Sequence, residues 1–523
     1  MKKKLSTFII VPVILFFFGS MSTRLCAQAG SAVINVQLSN PRKVATIDER
    51  FQSFNIEMVE VVGGNFWIPY DKMDSTKRPS ADSNISVGES KNLYMAIPPI
   101  DLYEKRLRML AEGLAPTYMR VSGTWANSTY FQNNDEAKLT KVPFGFKNVL
   151  SRKEWKGVVD FAKAVDARLV TSFAISDGVR DKDSIWTPDQ AQAWMTYTKS
   201  IGGTIAAAEL FNEPSYAAYG GAPKGYGVAN FAKDYARFKA FAKSTLPNTI
   251  IMGPGSTGEG GIFPPSRMAI LPTDDLLSAN PKPVFDVFSY HYYGGASKRC
   301  APSGPGALSS DDALSPEWLN KTVVGYKFYK MMRDKHLPGK PIWLTETADA
   351  ACGGNPWAVT FLDCFRYVEQ LGRLAKEGVQ VVMHNTLSVS EYGLLDQDTH
   401  QPRPNYWTAL LWNRFMGTDV YDSISAQPGV DIFMHSLKKT PGGFALLIVN
   451  TLGKATALNI PANAHQYTLT GNELQTKKIQ LNGETLTLTA GDELPVIKGK
   501  VIKAGITQIP PQSITFLTFT SIK

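Results

Sequence analysis

The sequence predicts an α/β fold: a (β/α)8 TIM barrel with a C-terminal antiparallel β-sandwich domain. Two observations point to it. From about residue 50 to 415, eight short β-rich runs alternate with helical runs, the pattern of a parallel sheet. After Gly417 the helical period disappears, and short strands such as "GGFALLIVN" and "ITFLTF" are separated by Gly, Pro and Asn turns.

The eight strands are expected to begin near Phe51, Tyr118, Arg168, Ile205, Thr249, Val284, Pro341 and Val379. "RLVTSFA", "TIIMGP" and "VQVVMHN" are continuous apolar runs, as parallel strands covered on both faces must be. Between them, Leu107, Leu110, Ala111 and Leu114, and again Phe361, Cys364, Phe365, Val368 and Leu371, keep the spacing of one buried helix face. Eight strand–helix units favour a closed barrel, with a doubly wound sheet as the competitor. The expected limits are a barrel over 49–417 and a β-sandwich over 418–523. The strand-like "SAVINVQLS" falls in an N-terminal segment, 30–48, that joins the sandwich. Gly63 to Ile100 is long and polar, and is expected to be one large loop after strand 1.

Residues 1–27 have the form of a signal peptide: Lys2, Lys3 and Lys4, an apolar run from Phe8 to Phe18, and small residues around Ala27 and Ala29. The expected destination is secreted or periplasmic. Leu25 stands before Cys26, where a lipoprotein would have a small residue. The run is shorter than the roughly 20 residues of a membrane span, and no later stretch supplies one. The formal charge of +9 includes Lys2, Lys3, Lys4 and Arg24; processing leaves 51 basic against 46 acidic residues. That mild excess permits an acidic substrate without requiring one, and no basic cluster interleaved with aromatics argues for nucleic acid. Of the cysteines that survive processing, Cys300 and Cys352 sit in Gly-rich loops and can bridge, while Cys364 lies on a helical apolar face.

Two carboxylates fall at strand ends. "AAAELFNEPS" puts Asn212 and Glu213 after strand 4, and "PIWLTETADAACGG" puts Glu346 at the end of strand 7. The C-terminal strand ends of a barrel line its active site. Facing carboxylates are what glycosidic bond cleavage requires: one protonates the leaving oxygen and the other attacks the anomeric carbon. The Asn212 amide suits a sugar hydroxyl. Arg120 ends strand 2, where a fixed cation holds Glu346 ionised. His291 and Tyr293 end strand 6 within reach of the nucleophile, and Glu57 ends strand 1 in position for a sugar hydroxyl. This chemistry needs no cofactor, and no metal-ligand spacing is present. The expected partner is a carbohydrate, an acidic polysaccharide among the open classes.

At these residues the chain resembles glycoside hydrolase family 79, the heparanases and β-glucuronidases. The resemblance rests on "ELFNEPS", "SYHYYGG", "IWLTETADAACGGNP", "VQVVMHN" and "EYGLLDQDTHQPRPNYWTALLWNRFMG", in order from about Lys43 to Gly417. It implies a secreted retaining hydrolase with Glu213 as acid/base and Glu346 as nucleophile. It further implies that Glu57, Thr124 and Asn212 bind hydroxyls in the −1 site. Tyr392 and the backbone around Gly353 would meet a glucuronic acid carboxylate. The sequence departs at Ala351-Cys352-Gly353-Gly354, where heparanases have a tyrosine followed by three glycines; the Cys352 N–H remains as a donor. Two other readings stay open: a barrel hydrolase of the same mechanism acting on a neutral β-xyloside or β-glucoside, and a non-catalytic carbohydrate-binding protein.

Overall fold

Eight parallel strands close into a barrel: β1 (Gln52–Glu57), β2 (Thr117–Ser122), β3 (Ala167–Ser172), β4 (Ile205–Glu209), β5 (Ile250–Ser256), β6 (Val287–Tyr293), β7 (Ile342–Ala348) and β8 (Val381–His384). The computed structural model describes residues 33–73, 92–260, 270–301, 307–422 and 427–520, and the expected signal peptide lies outside them. Each strand starts within three residues of its expected position. The barrel interior is packed: Tyr118, Val170, Ala207, Met252, Val287 and Trp343 form an apolar layer with Val381 and Met383. Their inward side chains fill the floor on which the polar strand ends stand.

The segment expected as one large loop after β1 carries structure. Helix Met58–Val62 follows β1 directly, and Gly64–Trp67 pairs antiparallel with Tyr94–Ile97. Trp67 lies opposite Tyr94 with ring centroids 4.5 Å apart, the kind of cross-strand aromatic pair that stabilises a hairpin.

Beyond the barrel, two sheets face each other. The larger runs Lys43–Thr46, Met416–Tyr421, Val430–Leu437, Phe444–Asn450, Ser513–Phe519, Ala464–Gly471, Ile479–Leu481 and Glu484–Thr485, with Lys500–Ile502 beside Ala464–Gly471. The smaller holds Ile34–Asn35, Thr456–Ile460 and Gly505–Ile509. Two N-terminal strands therefore join these sheets, one parallel to Thr456–Ile460 and one antiparallel to Met416–Tyr421. Ile432, Met434, Leu446, Ile448, Leu517 and Phe519 fill the space between the sheets with Ile34, Val36 and Leu38. The alternate residues Phe433, Ala445, Leu447, Val449 and Phe516 join the barrel core. Both faces of "FALLIVN" are thus buried, which is why it reads as an unbroken apolar run.

Helix Phe361–Lys376 was expected to bury one face, yet it is buried almost all round. The barrel covers one side and the large sheet the other. Gly372 is where they meet: a Cβ there would lie 2.5 Å from a ring carbon of Phe433. Gly372→Ala gains up to about 1 kcal/mol of helix propensity but overpacks a closed contact at about 1–3 kcal/mol. A net loss near 1 kcal/mol is expected in urea unfolding; a stabilised variant would contradict the packing.

Candidate active site

The C-terminal strand ends enclose a cavity of about 510 Å³. On its wall stand Glu57, Thr124, Asn212, Glu213, Tyr293, Glu346, Cys352 and Tyr392, all read from the sequence as site residues. Phe66, Trp67, Trp125, Tyr216, Tyr219 and Asn385 complete the same wall with small residues.

Glu346 faces the cavity because β7 is irregular. Strand register pairs Tyr290 with Leu344 but His291 with Glu346, so one residue, Thr345, is extra. Strict alternation from Trp343, which points into the barrel core, would turn Glu346 outward. The extra residue re-aims it, a common use of a bulge beside a functional site. Each oxygen of its carboxylate then has a donor. Oε1 accepts from the Tyr293 hydroxyl at 2.7 Å, and Oε2 accepts from Arg120 Nη1 at 2.9 Å. Burial alone would push its pKa up, but attraction to His291 and Arg120 and the Tyr293 hydrogen bond bring it below the ordinary carboxylate value.

Arg120 is itself buried and reaches three partners. Nε and Nη2 donate to Glu209 Oε1 at 3.1 and 2.6 Å, Nη2 also to Asn212 Oδ1 at 2.6 Å, and Nη1 to Glu346. Asn212 has its Oδ1 taken by Arg120, so what it offers a ligand is the Nδ2 donor.

Glu213 lies four residues past the end of β4, at the start of the short turn Pro214–Tyr216, with φ of 51°. That left-handed conformation is uncommon for a residue with a side chain, and such strain concentrates at functional sites. Its Oε1 is 3.0 Å from His291 Nδ1. Burial and the charge of Glu346 raise its pKa, against the His291 hydrogen bond and the attraction of Arg120. One ligand atom each of Glu213, His291 and Glu346 lie within 4.8 Å of one another. The sequence showed no such grouping. The Arg120 guanidinium already on Glu346 opposes a metal cation there.

Glu57 is held by Asn385, whose Nδ2 donates to Glu57 Oε1 at 3.2 Å and also reaches the hydroxyls of Tyr293 at 3.1 Å and Tyr392 at 3.4 Å. Burial and the charge of Glu346 push the Glu57 pKa well up. Gly123 leaves the space for this carboxylate: a Cβ there would sit 1.5 Å from Glu57 Oε2, and its φ is 88°.

Two residues expected at the site stand behind its wall, although His291, read as within reach of the nucleophile, has its Nδ1 3.6 Å from Glu346 Oε2. His291 is buried behind Glu213 and Glu346, in register beside Glu346, and does not line the cavity. Gly353 is buried behind Cys352, where a Cβ would meet Arg299, Ser390 and Trp67. Cys352 stays on the wall and is disulfide-bonded to Cys300, while Cys364 is buried and unbridged. Sequence reasoning missed Glu209, Asn385 and Arg299. Glu209 had a signal, a charge closing an otherwise small and apolar strand, since a buried charge needs a partner. Arg299 had none: it packs over the Tyr70 ring and bonds Glu391, Ile68 O and Cys352 O, partners spread over the chain.

Removing one partner of a buried ion pair strands the other charge. Glu209→Ala is expected to cost about 3 kcal/mol in chemical denaturation, and a loss below about 1 kcal/mol would show that Glu346 and Asn212 suffice for Arg120.

Among relatives, heparanase of Bos taurus is 26% identical over 81% of this chain and 85% of that protein. Hyaluronoglucuronidase of Hirudo nipponia is 25% identical over 79% of this chain and 88% of its own length. The crystal structure of a 4-O-α-L-rhamnosyl-β-D-glucuronidase from Fusarium oxysporum 12S superposes with a TM-score of 0.60 at 12% identity, covering 93% of this chain and 100% of that one; it shares the fold. Residues 66–372 match the sequence profile of the glycosyl hydrolase family 79 N-terminal domain. That match takes in more than half of the chain, from the first hairpin to the helix after β7, and the protein belongs to glycosyl hydrolase family 79.

Proposed function

We propose that the protein is a retaining glycoside hydrolase that cleaves β-linked glucuronic acid from glycans or glycosides, with Glu346 as nucleophile and Glu213 as acid/base. The observation that carries this is the opposed setting of two carboxylates in one cavity. Glu346 is held below its ordinary pKa by His291, Arg120 and Tyr293, while Glu213 is raised by burial and by Glu346. Titratable groups pushed apart in this way mark the base and the acid. An oxygen of each lies within 4.8 Å of the other. Oxygens that near suit the facing carboxylates of a retaining enzyme, whose carboxyl groups stand about 5–5.5 Å apart.

The Glu346 carboxylate attacks the anomeric carbon as the bond to the leaving oxygen breaks, and the Glu213 proton passes to that oxygen. Water then attacks the anomeric carbon of the glycosyl ester, returns its proton to Glu213 and frees Glu346. His291 acts as a positioning residue behind both carboxylates. Glu57, Thr124 and the Asn212 Nδ2 group are assigned to sugar hydroxyls. The Tyr392 hydroxyl and the backbone at Cys352 are assigned to the C6 carboxylate. The relatives that act on glucuronides support this sugar. The Cys300–Cys352 disulfide supports action in an oxidising compartment outside the cytoplasm, in keeping with the signal peptide read at 1–27.

Glu346→Gln is expected to abolish turnover while substrate binding, read by calorimetry, persists; unchanged turnover would refute the assignment. On a panel of p-nitrophenyl β-glycosides the glucuronide should be the substrate. Activity on the xyloside or glucoside alone would replace the glucuronide reading with the neutral-sugar one. Activity should be bell-shaped in pH. It falls on the acid side as Glu346 is protonated, below the usual carboxylate range, and on the alkaline side as Glu213 loses its proton, above that range. An alkaline limb at an unshifted carboxylate pKa would sink the role of Glu213.

A further inference from the structure

The loop after β8 is gripped by its backbone. Four carbonyls in a row, Ser390 to Gly393, are taken by two side chains. Arg403 Nη1 lies 2.6, 3.1 and 3.3 Å from those of Ser390, Glu391 and Gly393, and His384 Nε2 lies 2.6 Å from that of Tyr392. Both side chains stand on fixed elements. His384 is the last residue of β8, and Arg403 is the N-cap of helix Pro404–Phe415, which is buried from Pro404 to Asn413. Tyr392 lines the cavity, while His384 and Arg403 stand outside its wall.

A carbonyl only accepts, so the His384 nitrogen that faces Tyr392 carries the proton. Burial and the nearby Arg366 cation bring the His384 pKa down to about 3, which leaves a neutral ring donating through that one N–H. The other flank of the segment is fixed as well. Gly353 O accepts from Ser390 Oγ at 2.7 Å and from the Glu391 N–H at 3.2 Å. A Cβ on Gly354 would lie 3.1 Å from Tyr392 N, so the loop after β7 closes against the same residue. The peptides on either side of Tyr392 are thereby held, and its hydroxyl is set 3.4 Å from Asn385 Nδ2.

We infer that His384 and Arg403 are positioning residues for recognition of the sugar carboxylate: by gripping the carbonyls of Ser390 to Gly393 they aim the Tyr392 hydroxyl at the C6 group. This rests on the reading above that Tyr392 meets that group, and deepens it. Loops are ordinarily the mobile part of such a scaffold, and a hydroxyl that had to find its place on binding would cost ordering entropy. A contact side chain locked by supporting hydrogen bonds avoids that cost. The C6 carboxylate takes no part in bond cleavage, so its contact is the same in substrate and transition state, and losing it raises KM with kcat unchanged.

The test measures kcat and KM on p-nitrophenyl β-glucuronide, with melting temperature as the control for folding. His384→Leu, which removes the donor without removing a charge, should raise KM about tenfold with kcat within about twofold. His384→Gln, whose amide can reach the same carbonyl, should restore most of that KM. Arg403→Lys keeps the charge but loses the planar fork, and should also raise KM. In a Tyr392→Phe background, His384→Leu should add less than about twofold, because the group it aims is gone; that comparison also decides the matter if kcat falls too. Should His384→Leu lose its fold, Arg403→Lys carries the same comparison. A loss confined to kcat, no loss, or an equal loss in the Tyr392→Phe background overturns the inference, while glucuronide turnover leaves the glycosidase reading standing. Turnover of the xyloside or glucoside alone, or of no glycoside, overturns both.

Discussion

Arg120 stands at the centre of the site in the literal sense. From β2 its guanidinium reaches Glu209 at the end of β4, Asn212 beyond it and Glu346 on β7. A charge this deep in a barrel is tolerated only with partners on every side, so strands distant in sequence must meet in one register. The same cation fixes the electrostatics. It helps keep Glu346 ionised, and the negative charge of Glu346 then raises the pKa of Glu213 and, more strongly buried, of Glu57. His291 and that guanidinium thus hold Glu346 below the ordinary carboxylate pKa, while burial and the charge of Glu346 lift Glu213 above it.

The barrel was legible because its strands are buried on both faces and announce themselves as apolar runs, and because carboxylates at strand ends are conspicuous. Glu213, Glu346, Tyr293 and Arg120 could be placed on one rim from that alone. Register was not legible. Simple alternation along β7 would have turned Glu346 away from the cavity, and the extra residue that corrects it leaves no mark in the sequence. His291 shows the same limit from the other side: its place at a strand end was right, but whether it touches ligand or backs the carboxylates depends on depth. The hairpin Gly64–Trp67 with Tyr94–Ile97 was hidden by the length and polarity of what separates its strands.

The rim owes its shape to groups that never enter the cavity. Arg299, Glu391, Tyr70 and Ser390 tie the first hairpin segment to the loops after β6, β7 and β8, and the Cys300–Cys352 bridge adds a covalent link between two of those loops. Loops are usually the mobile part of a barrel. Here a buried ion pair and a disulfide give them the order of the scaffold beneath, which is what holding two carboxylates at a fixed separation requires.

The order of strands in the large sheet bears on how the chain reaches this state. Ser513–Phe519 lies between Phe444–Asn450 and Ala464–Gly471, so an interior strand of the sheet follows both of its neighbours in the chain, and a partner at the other edge, Lys43–Thr46, comes from the first described residues. Until Ser513–Phe519 is inserted, the edges of Phe444–Asn450 and Ala464–Gly471 that pair with it stay open. A nascent chain with the barrel sequence complete is therefore still a sticky, unfinished molecule. Segments 43–46 and 513–519, far apart in sequence, must both reach the large sheet before it is complete.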